Sequence, residues 1–430
     1  MAELLSDHTP LMTKREKLLV TQSFSSIKWS TNKSLILAYI LWLPPFGLFG
    51  FHNFYLNRKE QGFAFLFTGG LLGIGWIIDF FRLPSLLTTA NIVLATNTGA
   101  QRREVAEALP YLVDPPRGSE ISYANVVERK ELWENGRGLQ LFTHCWLPKE
   151  EEPKAIIFQC VGYAYYNSWL PSLFARKLAS NGFAVYGIDY EGQGLSDGLN
   201  GYIPNFDTLI SDCDRYFGQI ALKYPNLKKF LLGESMGGAV ALLLHFRDKD
   251  RKTEATSDES KQDETYSVRY DGAVLLAPMV KISDRVRPPA FVVNILVHLA
   301  KFIPKSPITP SKDLTELCFH DQQIVAEERE NPLLYKLKPR LASALSLLNA
   351  STFCEENFEK VEFPFLVLHG EEDQVTEPSV SQTLYEKASS GDKGIKLYPE
   401  QWHALLFEPK AEEVSADIIE WFEAQTSTKD

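Results

Sequence analysis

The sequence is poor in cysteine, has no surplus of positive charge, and carries no internal repeat. Its five cysteines (Cys145, Cys160, Cys213, Cys318 and Cys354) are odd in number, scattered, and never in C-x-x-C spacing. That distribution argues against a disulfide framework and against a zinc site; no metal or other cofactor is expected. Lysine and arginine number 44 against 55 acidic residues, a formal net charge of −11, and no basic stripe stands out. Nucleic acid is therefore not an expected partner. Charge of either sign is missing over residues 34–51, and residues 62–81 hold none before Asp79. Both runs reach the length of a membrane-spanning helix. Pro44-Pro45 would break a soluble helix but is tolerable in a membrane bundle, and Gly69, Gly70, Gly73 and Gly75 suit close helix contact in lipid. A late first run followed by a second disfavours a signal peptide. A length of 430 residues suits one large domain plus such a membrane module.

What is present is decided mostly at Gly233-Glu234-Ser235-Met236-Gly237. It follows the apolar run Phe230-Leu231-Leu232 and precedes Gly238-Ala239-Val240-Ala241-Leu242-Leu243-Leu244. Strand, sharp turn and helix are the context of a nucleophile elbow, in which a strained serine exposes its Oγ beside a helix N-terminus. Its partners follow in order. Phe363-Pro364-Phe365-Leu366-Val367-Leu368-His369-Gly370 reads as a strand, with Asp373 three residues past the glycine. Gly394-Ile395-Lys396-Leu397-Tyr398 reads as another and leads to Trp402-His403. Ser, Asp, His is the chain order of α/β-hydrolases. His403 would take the Ser235 proton, and Asp373 would fix the imidazole tautomer. His369 is expected to be a structural strand-end residue, and Glu371 and Asp392 to be solvated loop charges. For the oxyanion, the expected donors are the N–H groups of Met236 and Tyr163, the latter in Val161-Gly162-Tyr163-Ala164-Tyr165-Tyr166 after the strand 155–160.

Residues 119–422 resemble the monoacylglycerol lipase branch of the α/β-hydrolases, including its lysophospholipase-like and caffeoylshikimate-esterase-like members, and the hydrolase domain is expected over 119–427. The resemblance rests on the Ser235 elbow and on Gly136-Arg137-Gly138-Leu139-Gln140-Leu141-Phe142. It continues through Asp189-Tyr190-Glu191-Gly192-Gln193-Gly194-Leu195-Ser196-Asp197-Gly198, Leu276-Ala277-Pro278-Met279, Leu368-His369-Gly370-Glu371-Glu372-Asp373 and Trp402-His403. It implies an α/β-hydrolase fold with a helical cap, here about 279–350. Where that family has His-Gly-x-Gly, this chain has Val161 and Ala164, and alanine resists the positive φ that glycine accepts. Within the cap, residues 290–303 lie between Pro288-Pro289 and Pro304 and predict a helix of roughly four turns. Asn294, His298 and Lys301 form its one polar stripe, and the rest is apolar, suited to an acyl channel or a bilayer.

Residues 34–82 resemble a second family, a two-span transmembrane hairpin domain, in the version found in some membrane-bound J-domain proteins. The residues that carry this are Ala38-Tyr39-Ile40-Leu41-Trp42, His52-Asn53-Phe54-Tyr55-Leu56 and Gly73-Ile74-Gly75-Trp76-Ile77-Ile78-Asp79-Phe80-Phe81. No His-Pro-Asp tripeptide occurs, so co-chaperone function does not carry over. Residues 1–33 form a tail and 83–118 a linker, helical around 102–109. Residues 247–269, rich in charge, threonine and serine, are expected to form a solvated loop. Two spans return the chain to its starting side, and unpaired cysteines place the hydrolase domain on the cytosolic face. His245 and Asp250 have the H-x₄-D spacing of some glycerolipid acyltransferases, a pattern loose enough to arise by chance.

The sequence thus predicts a membrane-anchored serine hydrolase of acyl esters of lipid-like alcohols, monoacylglycerol or lysophospholipid. The alternative is a catalytically weak or inactive hydrolase-fold membrane adaptor, motivated by Val161 and Ala164.

Overall fold

The structure is a computed structural model that describes residues 35–42, 53, 97–114, 123–255, 268–281, 290–309 and 314–427. Its described residues fall into two compact units, those up to Leu109 and those from Pro110 on. In the smaller unit, helix α1 (Leu35–Trp42) is built entirely of uncharged residues. Helix α2 (Gly99–Ala108) begins at a capping box: Thr98 accepts the Gln101 N–H at 3.3 Å, and Gln101 Oε1 accepts the Thr98 N–H at 3.0 Å. That cap starts the expected linker helix three residues early. Among the described residues no helix is long and apolar enough to cross a membrane. Apart from 35–42 and Asn53, the expected hairpin lies outside the described residues.

The larger unit is one eight-stranded sheet, ordered β1-β2-β4-β3-β5-β6-β7-β8. Its strands are β1 (Val126–Glu134), β2 (Gln140–Pro148), β3 (Ile156–Cys160), β4 (Ala184–Ile188), β5 (Lys229–Glu234), β6 (Gly272–Leu276), β7 (Phe365–Gly370) and β8 (Lys393–Tyr398). The β1–β2 and β2–β4 pairs are antiparallel and the rest parallel. Strands β3, β4 and β6 are buried at every residue, Gln159 included, as central strands are when helices cover both faces. The covering is visible in two adjacent phenylalanine sites. Phe158 pairs in register with Leu231 and stacks on Phe217 of α4 (Phe206–Lys223), with ring centroids 4.3 Å apart. Phe230, one residue out of phase and so on the other face, packs on Trp421 and Phe422 of α11 (Ala411–Ser427).

The remaining helices of this unit are α3 (Pro171–Ser180), α5 (Met236–Ala255), α6 (Ala290–Ala300), α7 (Thr315–Cys318), α8 (Gln322–Glu330), α9 (Leu341–Glu356) and α10 (Pro378–Lys387). Helices α6 to α9 fall in the region expected to form the cap. Two expectations are corrected here. Residues 247–255 are not loop: α5 runs on to Ala255. Its charged end is pinned by Arg251 to Asp214 at 2.6 Å and by Arg247 to the Ser211 hydroxyl at 2.8 Å, both on α4. Charge that reads as solvated is thus used to dock one helix on another. Helix α6 is also shorter than expected, because at its end Lys301 N–H bonds to His298 O and Phe302 N–H to Leu299 O in the tighter i→i−3 pattern. Its apolar surface is open, with Phe291 67%, Ile295 55% and, just beyond, Phe302 82% exposed.

Candidate active site

Three strand ends converge on the site. Register aligns Glu234 of β5 with Leu276 of β6, Leu276 with Leu368 of β7, and Gly370 of β7 with Tyr398 of β8. Ser235, Asp373 and His403 therefore all leave the sheet at its C-terminal edge, where α/β sites collect.

Ser235 stands between β5 and α5 at φ +53°. A left-handed backbone costs an L-residue about 1 kcal/mol, and it persists where its surroundings fix it. Here the Ser235 N–H donates to Leu276 O at 2.9 Å, and its carbonyl accepts from Gly238 N at 2.9 Å and Met279 N at 2.8 Å. The flanking glycine at 237 is obligatory, since a Cβ there would lie 1.9 Å from Cys160 O.

Asp373 lies in an Asx-type turn, its Oδ1 accepting from Val375 N–H at 2.7 Å and Thr376 N–H at 3.1 Å. Its Oδ2 meets His403 Nδ1 at 2.7 Å, Thr376 Oγ1 at 2.8 Å and His369 Nε2 at 3.1 Å. Burial disfavours the carboxylate, but the charge of His403 and the donors from both histidines outweigh it and hold the Asp373 carboxyl far below the usual range. Burial likewise disfavours charge on His403, and Asp373, with Glu234 adding to it, pushes the imidazole above its ordinary value. Glu234 is itself pushed up by burial, against the pull of His403. Its charge coupling to His403 links the elbow to the histidine loop. Among the described residues no hydrogen bond joins Ser235 to His403; such contacts tighten in the substrate complex.

The loop after β3 crosses over the serine. A methyl group built on Gly162 would lie 3.5 Å from Ser235 Cβ and 4.0 Å from its Oγ. Gly162 O accepts Tyr165 N–H at 3.4 Å, closing a turn in which Ala164 takes φ +63°. Alanine therefore does adopt here the conformation it was expected to resist. The side chains around it explain how. Tyr163 OH donates to Gly201 O at 2.7 Å, Tyr165 OH to Glu328 Oε1 at 2.8 Å, and Tyr166 OH to Leu112 O at 2.7 Å. Among the described residues neither the Tyr163 N–H nor the Met236 N–H donates to the protein.

Sequence reading missed several contributors. Thr376 is signalled by the Asp-x-x-Thr spacing of an Asx turn. His369 was expected to be structural; it is wholly buried between Ser381 Oγ at 2.7 Å and Asp373. Glu371 and Asp392 are exposed, as expected. His245 packs in the core on the Phe363 ring, 4.0 Å between centroids, and accepts Glu362 N–H at 3.3 Å. Asp189, from the matching glycine-rich stretch, is a buried acceptor for Asn167 N–H at 2.9 Å and Leu195 N–H at 3.1 Å.

Comparison with known proteins agrees with this architecture. The family described as serine aminopeptidase, S33 matches residues 151–410, and the TM2 domain family matches residues 31–81. Caffeoylshikimate esterase of Arabidopsis thaliana is 32% identical over 302 residues, 68% of this chain and 85% of that protein. Monoglyceride lipase of Homo sapiens is 28% identical over 301 residues, 68% of this chain and 90% of that protein. Among solved structures, a soluble variant of monoglyceride lipase from Saccharomyces cerevisiae, in complex with a substrate analogue, superimposes with a TM-score of 0.56 at 20% identity. That match covers 70% of this chain and 96% of that one, and establishes the shared fold.

Proposed function

The chain belongs to the serine aminopeptidase, S33 family of α/β-hydrolases, and from that premise we propose that it is a membrane-tethered serine hydrolase of acyl esters of lipid-like alcohols. Monoacylglycerol or lysophospholipid is the substrate class. Its similarity to a monoglyceride lipase and to an esterase supports ester chemistry, and the TM2 match at residues 31–81 supports the tether.

In this reading Ser235 Oγ attacks the acyl carbonyl while His403 takes its proton, and the tetrahedral oxyanion is held by Tyr163 N–H and Met236 N–H. His403 then returns the proton to the departing alcohol. Water, deprotonated by the same imidazole, hydrolyses the acyl-enzyme. Asp373 holds the Nδ1 tautomer and stabilises the imidazolium throughout. The exposed apolar surface of α6 suits an acyl channel or contact with a bilayer, the role of a lid. The tether leaves tail and hydrolase domain on one side, the cytosolic one.

The observation that carries this reading is the 2.7 Å Asp373–His403 pair following β7 and β8, together with a serine held at φ +53° at the end of β5 on the same edge of the sheet. The inactive-adaptor reading draws on Val161 and Ala164; the positive φ that Ala164 adopts favours the enzyme reading over it. A fluorophosphonate probe should label the wild-type chain and leave Ser235→Ala unlabelled. Equal labelling of both would sink the assignment, and no labelling of the wild type would favour the adaptor.

A further inference from the structure

Glu328 is an acid with no place in the chemistry above. It stands near the end of α8, inside the charged run Glu327-Glu328-Arg329-Glu330, yet it is only 5% exposed. Its Oε1 accepts two hydrogen bonds, from Tyr165 OH at 2.8 Å and from Trp169 Nε1 at 2.6 Å. Both donors belong to the chain that leaves β3, and Tyr165 is the last residue of the strained turn over Ser235. The charges that face Glu328 are Lys336, which favours its anion, and Glu327, which opposes it. Burial is the largest influence and pushes the carboxyl up to about 7.

Helix α8 offers this acid from a fixed base. Cys318 O accepts the Ala404 N–H at 3.0 Å, directly beside His403. The buried Glu408 carboxylate accepts the His320 N–H at 2.9 Å and the Trp402 N–H at 3.1 Å, and the His320 ring lies 3.9 Å over that of Trp402. Asp321 then caps α8 by accepting the Gln323 N–H at 2.7 Å. One stretch of the insertion between β6 and β7 is therefore bonded at its start to the histidine loop and at its end to the turn over the serine.

Resting on the hydrolase reading above, we propose that Glu328 is a positioning residue: through Tyr165 it holds the Gly162–Tyr165 turn, and so the Tyr163 N–H, in line with Ser235. Alanine at position 164 gives the turn no conformational reason to persist by itself. Its outer end must be held, and the bond from Tyr165 to Glu328 holds it.

The test measures the rate of fluorophosphonate labelling of Ser235, and kcat and KM for a short-chain ester, at pH 8 in the full chain. Tyr165→Phe and Glu328→Leu should each slow labelling and lower kcat on the order of tenfold to a hundredfold, the effect of a small misplacement of a reacting group. KM should change little, because the turn acts on the transition state. The double variant should be no slower than either single one. Glu328→Gln, whose amide oxygen accepts the same two donors, should recover all but about threefold. Should Glu328→Leu not fold, Tyr165→Phe decides alone, since it removes one oxygen atom. Wild-type rates for a folded Tyr165→Phe, or losses that multiply in the double variant, would overturn the proposal while leaving the hydrolase reading intact. An unlabelled wild type would remove both.

Discussion

Gly162→Ala separates folding from chemistry more cleanly than any change to the catalytic side chains. The added methyl would sit 3.5 Å from Ser235 Cβ and 3.9 Å from Glu234 O, both ordinary van der Waals distances. Gly162 is not among the residues with positive φ, so alanine meets no backbone strain there. Folding stability should accordingly move by no more than about 0.5 kcal/mol. The same methyl would lie 4.0 Å from Ser235 Oγ. A reacting carbonyl carbon must come within about 3–3.5 Å of that oxygen, and two carbon atoms resist approach closer than about 3.5 Å. With the oxyanion held by the Gly162–Tyr165 turn, as proposed, the acyl group approaches from that side, so the methyl and the acyl group compete for one volume. A displacement of about 1 Å costs on the order of a hundredfold in rate. The expected result is an unchanged melting temperature with fluorophosphonate labelling slowed about a hundredfold or more. Gly237→Ala is the contrasting control: its methyl would lie 1.9 Å from Cys160 O, so it should fail by unfolding. Labelling of Gly162→Ala within about threefold of wild type would mean that the turn does not border the acyl group, and the oxyanion assignment would go with it.

Further outcomes follow from the acid–histidine pair. In the proposed mechanism activity requires neutral His403, whose value is raised above 6.5, so kcat/KM should rise with pH through an inflection above 6.5, and Asp373→Asn should lose about four orders of magnitude in kcat. The stability that His403 contributes is complete below 6.5 and lost as pH rises through its raised value. That of Asp373 is present above 3.8 and lost only as pH falls towards its depressed value, so melting curves should show the pair's full effect between 3.8 and 6.5, absent in Asp373→Asn. Thr376→Val removes one hydroxyl donor from Asp373 Oδ2 and keeps the backbone donor; it should cost about 1 kcal/mol by thermal denaturation and about tenfold in turnover.

The candidate site was legible where its chemistry rides on local pattern. Ser235, Asp373 and His403 each follow a short apolar run, and a strand's C-terminal end is a property of adjacent residues. Contacts that depend on distant segments were not legible. Glu328 meets Tyr165 across 163 positions of sequence and sits in a run that reads as a solvated helix face; only the packing of the insertion buries it. The charged end of α5 misled in the same way, because its cations find Asp214 and Ser211 on α4. His369 and Ala164 were placed correctly in the chain, but their roles depend on Ser381 and on three anchored tyrosines.

The position of the insertion has a consequence for grafting. Strands β6 and β7 are neighbours, and α9, which packs on α4 and α5, is the helix that an ordinary crossover between them requires. Everything from Val280 to Arg340 is additional to that crossover, and in a simple modular scheme it could be exchanged between relatives to alter which alcohol or acyl chain is accepted. Here the segment cannot be exchanged alone. A transplanted version would have to bring, or find, counterparts of Tyr165, Trp169, Trp402 and Glu408, which lie before and after it in the chain. Chimeras that move residues 280–340 together with 161–169 and 402–408 are therefore the ones in which a new specificity and an intact catalytic edge can coexist.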